Sequence, residues 1–260
     1  MTDRAAEISL LAERLDAAAL ARTAMSPLTD SYPLDLDDAY AVQARLVGRR
    51  LSRGERVVGL KMGFTSEAMR RQMGVEQPNC GWLTDAMAVR PGAALDLSTL
   101  IHPRVEPEVA LRLGRDLGWP SDPAQVEAAV DGWAPALEIV DSRFHAYRFR
   151  GEDNTADNSS AAAFVLGAWR DWPADLAGLR IRLLLDGDLV EEGGAEAVMG
   201  HPLNSLREAA RMAAAIGRPL QAGMIVLTGG VTSAHRIADV ERVEAQFGAD
   251  AAVAVAVRRA

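Results

Sequence analysis

The sequence predicts an α+β fold, helical before about residue 55 and strand-rich after it. Three observations predict this: apolar residues recur at helical spacing over 5–24 and 35–52, period two takes over from residue 57, and no repeat or low-complexity linker divides the 260 residues. With 49% hydrophobic residues, the chain has material for a large core. The expected organisation is a helical N-terminal region, residues 1–55, packed on one compact unit, residues 56–260.

In the first expected helix Ile8, Leu11, Leu15, Ala18 and Ala19 share a side. The second has Asp35 placed to cap its start and carries Tyr40, Val42, Leu46 and Val47 before SRGE breaks it. Strands are expected at VVGLKMGFT (57–65), GWLTDAMAV (81–89), RVEPEVALRL (104–113), PALEIVDSR (135–143), AAAFVLGAW (161–169), LRIRLLLDGDLVEEG (179–193), GMIVLTGGV (223–231) and DAAVAVAV (250–257). Asp186-Gly187 reads as a hairpin turn. Further helices are expected at about 66–74, 123–131 and 203–216, the last with Leu206, Ala209, Ala210, Met212 and Ala213 along one side.

A net charge of −8 argues against a nucleic-acid or anionic-membrane surface as partner. No stretch reaches about 18 uninterrupted apolar residues, and the first residues lack a basic start and apolar core; a cytoplasmic protein is expected. The single cysteine, Cys80, excludes an intramolecular disulfide and a Cys-rich zinc site, and PNCGW offers no base to activate it. GxGxxG after a strand, GxxxxGK[ST], HExxH and GxSxG are all absent. His102, His145, His201 and His235 are too dispersed in sequence to suggest a metal set.

The informative stretch is HPRVEPEVALRL (102–113). Strand alternation turns Glu106 and Glu108 to one face and Val105, Pro107, Val109, Leu111 and Leu113 to the other. Two acids so placed fit either a solvent-facing strand edge or a shared cation. Glu138 stands in a second apolar strand, flanked by Leu137, Ile139 and Val140, where an unpaired carboxylate is costly to bury. Three such glutamates stay ionised if they share a hard cation, Mg²⁺ or Mn²⁺.

Seven ordered segments, GLKMGFTS (59–66), QMGV (72–75), HPRVEPE, ALEIVDSR (136–143), ADNSS (156–160), GHPLNSL (200–206) and LTGGVT (227–232), resemble the 2-keto-4-pentenoate hydratase / 4-oxalocrotonate decarboxylase family of the fumarylacetoacetate hydrolase superfamily. The resemblance implies a layered mixed β-sheet roll with a helical N-terminal part. It implies that Glu106, Glu108 and Glu138 bind the metal and that Lys61 lies over the oxo-acid end of the substrate. SYP (31–33), GLKMG, EIVDSR and TGGVT are closer to decarboxylase than to hydratase members, so Mg²⁺-dependent loss of CO₂ from a 2-oxo-enedioate is expected, with hydration of a dienoate or another metal-dependent lyase or hydrolase reaction as the alternative. The segment IADVERVEAQFGADAAV departs from the family's C-terminal pattern.

The remaining candidates are Asp85 as an acid–base group, Tyr32 brought over the pocket by the N-terminal region, Arg104 or Arg143 holding a distal carboxylate, Ser160 bonding a substrate carboxylate, and Thr228 of LTGGVT. Each has an ordinary reading too: a turn acid, an ion-pair partner or a turn serine. Trp82, Leu83, Met87 and Val231 are candidates for an apolar pocket end. The family resemblance also implies a homo-oligomer and, for decarboxylase members, a complex with a cognate hydratase.

Overall fold

In this computed structural model the described residues are 4–259 apart from 68, 69, 72, 73, 91 and 173. Helices α1 (Arg4–Ala21) and α2 (Leu36–Ser52) turn their apolar sides to each other, and Leu11, Leu15, Val42 and Leu46 form a small core with Leu28, Phe144 and Ala156. Asp35 does start α2: its side chain accepts from the Asp38 N–H and the Asp38 side chain accepts from the Asp35 N–H, a reciprocal cap.

The strands follow as β1 (Val57–Gly63), β2 (Asn79–Thr84), β3 (Leu95–Asp96), β4 (Arg104–Leu113), then helix α3 (Pro123–Ala129) and β5 (Val130–Val140). Helix α4 (Gly151–Ala156) precedes β6 (Ala161–Leu166), β7 (Arg170–Asp171), β8 (Arg180–Leu185) and β9 (Asp188–Gly194). Helix α5 (Pro202–Ala215) leads to β10 (Ile225–Gly230), β11 (His235–Arg236), β12 (Arg242–Phe247) and β13 (Ala251–Arg258).

Two sheets result. The larger runs β2-β1-β10-β4-β5-β6, with β11 joined to β4 and β7 to β5, and the smaller runs β3-β13-β12-β8-β9. Strands β12 and β13 pack on β5, which explains why β4 and β5 read as nearly continuous apolar runs: both faces are covered. Val109, Leu111, Leu137 and Ile139 join Leu183, Val243 and Val253 of the small sheet in the main core. This is the α+β, mixed-sheet roll that the sequence leads one to expect. Among the described residues no helix is long and apolar enough to cross a membrane.

Several elements differ from expectation, three of them instructively. The strand at 81–89 stops at Thr84, because Asp85–Met87 wind into a 3-10 turn with Asp85 held by Arg56. The strand at 135–143 starts earlier and ends at Val140, because the Asp141 carboxylate turns to accept the N–H groups of Ile101 and His102. β12, in the atypical C-terminal segment, was not expected as a strand, although Val243, Ala245 and Phe247 alternate inward. The expected helix at 66–74 falls partly on residues 68, 69, 72 and 73, outside the described residues.

Candidate active site

Sheet register assembles the acids. Glu106 of β4 lies directly opposite Glu138 of β5, and Glu108, two residues on, shares their face. One oxygen from each carboxylate lies within 4.8 Å of the others. Glu108 and Glu138 are fully buried, whereas Glu106 is half-buried and faces a cavity of about 510 Å³.

Strand β1, separated from β4 by β10 in the large sheet, supplies a counter-charge. Lys61, in the middle of β1, points its ammonium to within 3.1 Å of Glu138 Oε2 and donates to Ser159 O at 3.1 Å and Ser159 Oγ at 3.2 Å. Ser159 belongs to a turn in which Asn158, Ser159 and Ser160 all have φ between 52° and 57°, a run that side chains other than glycine adopt only when the surroundings hold them. Here they do: the Asn158 side chain accepts from the Trp82 N–H and donates to the Trp82 carbonyl, Ser159 Oγ donates to Asn79, and Asn154 donates to Ser160 Oγ. Behind Glu108, the Gly229 N–H donates to Glu108 Oε2 at 2.7 Å. Gly229 has φ +115°, and a Cβ there would lie 2.1 Å from Thr65 Oγ1, so this approach requires glycine.

Three carboxylates against one ammonium leave excess negative charge in a buried place. Burial, reinforced by Glu138, pushes the Glu106 carboxyl up to about 7 despite Lys61 and Arg104, and the same causes raise Glu108 well above the usual range. For Lys61, burial works against the charged form, but Glu138, Glu106 and Glu108 outweigh it and hold the ammonium firmly protonated. Glu108 Oε1 and Glu138 Oε1 accept no hydrogen bond, and Glu138 Oε2 meets only the Lys61 charge. Buried acceptors are rarely left so. An oxygen-only donor set with unused lone pairs and surplus negative charge fits a hard divalent cation.

The cavity also holds Arg104, whose guanidinium lies 4.2 Å from the Tyr147 ring centroid. No carboxylate pairs with Arg104 among the described residues. Ser160 lines the wall, as do the apolar side chains of Phe64, Val140, Phe149 and Val231.

Several expected residues lie elsewhere. Asp85 is paired with the Arg56 backbone at 2.9 Å and guanidinium at 3.0 Å, at the end of β2 away from Lys61, and lines no part of the cavity. Arg143 is buried, bonded to Asp157 and to the Asp141 carbonyl, with no donor turned to the cavity. Tyr32 packs half-buried on the N-terminal core beneath Arg14, and Thr228 is fully buried, its hydroxyl donating to the Val109 carbonyl. Trp82, Leu83 and Met87 belong to the cores, so of that set Val231 alone faces the cavity.

Sequence reasoning missed Ser159, Asn154, Tyr147, Thr232 and Glu191, all in the wall. ADNSS was the signal for Ser159, but spacing does not tell which serine of a turn faces inward. Cys80 is buried beneath Tyr40, its thiol pushed up to about 12 by burial, and is inert.

Residues 56–257 match the family model described as the C-terminal domain of fumarylacetoacetate (FAA) hydrolase. The chain is 42% identical over 228 residues to a 4-oxalocrotonate decarboxylase from a Pseudomonas species, covering 88% of this chain and 89% of that protein. It is 40% identical over 211 residues to the 2-keto-4-pentenoate hydratase of Paraburkholderia xenovorans, covering 80% and 78%. The solved structure of 4-oxalocrotonate decarboxylase from Pseudomonas putida G7 with magnesium and adipate superposes with a TM-score of 0.93 at 34% identity, covering 97% of each chain.

Proposed function

The chain belongs to the fumarylacetoacetate hydrolase family, and from that premise we propose that it is a magnesium-dependent carbon–carbon lyase that decarboxylates 4-oxalocrotonate (2-oxo-3-hexenedioate) to 2-hydroxypenta-2,4-dienoate. The observation that carries this reading is one cavity lined by Lys61, Arg104 and Glu106, with Glu106 the cavity-facing member of a three-carboxylate cluster whose buried members, Glu108 and Glu138, have unused oxygens. Such a site suits a 2-oxo acid with a second carboxylate. The decarboxylase relatives in sequence and structure support it.

Glu106, Glu108 and Glu138 are the residues to hold the cation, which when bound supplies Lewis-acid polarisation of the 1-carboxylate and 2-oxo group. Lys61, aimed by two acceptors on Ser159, places a positive charge where negative charge grows on the 2-oxo oxygen. Arg104, over the Tyr147 ring, is the group to receive the distal carboxylate. In the reaction the C5–C6 bond breaks, its electron pair moves through the alkene to the ketone oxygen, CO₂ leaves, and proton uptake at that oxygen gives the dienol. Phe64, Val140 and Phe149 keep water from this end of the cavity. Ser160 contributes a hydroxyl to the wall beside Lys61's turn.

The alternative is hydration of 2-hydroxypentadienoate, favoured by the hydratase relative. It needs only the chelating carboxylate and a placed water, so the need for the distal carboxylate separates the two. With Mg²⁺ and 4-oxalocrotonate, the expected result is one CO₂ per substrate and little consumption of the five-carbon dienoate. Rapid loss of the dienoate with no CO₂ from the dicarboxylate would make the protein a hydratase. Residues 1–55 are read as a helical region on a single catalytic unit, 56–260. The enzyme is further proposed to be cytoplasmic and homo-oligomeric, and to hand its unstable dienol to a cognate hydratase in complex.

A further inference from the structure

Part of the cavity wall is a four-residue segment, Val231, Thr232, Ser233 and Ala234, joining β10 to β11. Both its ends are fixed to the metal-cluster strand: Gly230 pairs with Glu108 and His235 with Val105, and the Val231 N–H donates to the Pro107 carbonyl. Among the described residues its middle has no such partner in the large sheet. It is gripped instead from the small sheet by Glu191 of the edge strand β9. Both Glu191 oxygens accept the Ser233 N–H at 3.2 Å, Oε1 also faces the Ser233 hydroxyl at 3.4 Å, and Oε2 lies 2.6 Å from His235 Nε2. Two residues along β9, Gly193 lets the Val231 carbonyl come close; a Cβ there would lie 2.3 Å from that oxygen. Among the residues lining the cavity, Glu191 is the one contributed by a strand of the small sheet.

A carboxylate facing a cavity that takes a dianion is unfavourable for binding unless it does something else there. We propose that Glu191 is a positioning residue: with His235 it latches the 231–234 segment in place, so that the small sheet fixes the wall against which the dicarboxylate substrate packs. The substrate part of this inference rests on the function proposed above; the latch itself does not. An ordered wall spares the ligand the cost of ordering it on binding.

The test uses the full chain loaded with Mg²⁺, as wild type, Glu191→Ala and Glu191→Gln. Amide hydrogen exchange of 231–235 is measured without substrate, and adipate affinity by calorimetry. In Glu191→Ala the Ser233 amide is expected to exchange at least about tenfold faster and adipate to bind about tenfold more weakly, with Mg²⁺ affinity and far-UV circular dichroism unchanged. Glu191→Gln keeps an oxygen for the Ser233 N–H and is expected to stay within about threefold of wild type in both readouts. Unchanged exchange in Glu191→Ala overturns the latch, and so does a Gln variant as loose as Ala. If wild type binds no adipate, the substrate reading fails, while exchange alone still decides whether Glu191 holds the wall.

Discussion

Two clusters of buried charge stand a few residues apart in this protein and are finished differently. In one, Arg143 uses its backbone N–H and guanidinium on Asp157 and the Asp141 carbonyl, and Asp141 spends both its oxygens on backbone N–H groups at 2.8 Å. In the other, Glu106, Glu108 and Glu138 converge with one lysine and leave buried oxygens without hydrogen bonds. Burial and charge are common to both, so neither property marks a binding site. Satisfaction distinguishes them: the closed cluster supports a turn, whereas the open one has donor capacity left for something the chain does not supply.

The largest contrast is expected in activity. Lys61→Met removes the cation that faces the substrate and is expected to cost about 10³-fold or more in kcat/KM, some 4 kcal/mol of transition-state stabilisation, while Mg²⁺ still binds. Steady-state kinetics beside metal titration check this, and parallel loss of metal affinity would reassign the lysine to the metal site.

Arg143→Met gives the opposite pattern. It strands Asp157, already pushed up to about 6 by burial even with Arg143 present, and is expected to destabilise by about 3–5 kcal/mol. Denaturant unfolding measures this. A variant of wild-type stability but without activity would return Arg143 to the candidates for holding the distal carboxylate.

The two clusters also differ in how pH and metal act together. Glu106 titrates at about 7 in the metal-free fold against an ordinary 4.5, so between those values the folded state holds more protons than the unfolded chain, and metal-free stability falls as pH rises through the window. Asp157 acts likewise between about 4 and 6, but its partner is Arg143, which is there with or without metal. The stabilisation by saturating Mg²⁺, read as the difference in Tm with and without chelator, is therefore expected to grow from pH 5 to 8. A difference that is flat or shrinks with pH would count against a shared cation on these carboxylates.

The smallest effects are expected where the sequence suggested a site and the structure places none. Asp85→Asn and Tyr32→Phe are each expected to change kcat/KM by less than about threefold, because one acid serves Arg56 and the ring packs on the N-terminal core. A tenfold loss in either, at unchanged stability, would bring that residue back to the cavity.

These misses show what a sequence carries. Glu106 and Glu108 are legible because strand alternation is a local rule, and Glu138 because a carboxylate inside an apolar run demands a reason. The helices and most strands follow from the same periodicities. Which polar side chain near the site faces the cavity is settled by partners far away in sequence: Asp85 by Arg56, Thr228 by Val109, Arg143 by Asp157. Glu191 was hidden for the same reason. It sits at the edge of a second sheet, in an acidic hairpin arm that reads as solvent-facing, and only the packing of β9 on the 231–234 segment turns it inward. β12 also alternates, with Val243, Ala245 and Phe247 inward, but in ERVEAQF only three apolar residues stand among charged and polar ones, a weaker signal than the long apolar strands carry.

The central claim is that the unsatisfied carboxylates are a cation site and not a flaw in the core. Calorimetric titration of the chelator-stripped protein with Mg²⁺ at pH 8, wild type against Glu108→Gln, tests it most directly. The expected result is one Mg²⁺ per chain in wild type and none measurable in Glu108→Gln, with the metal-free variant at least as stable as metal-free wild type because it has lost a buried, poorly compensated charge. Equal Mg²⁺ binding by both proteins, or an unfolded Glu108→Gln, would contradict it.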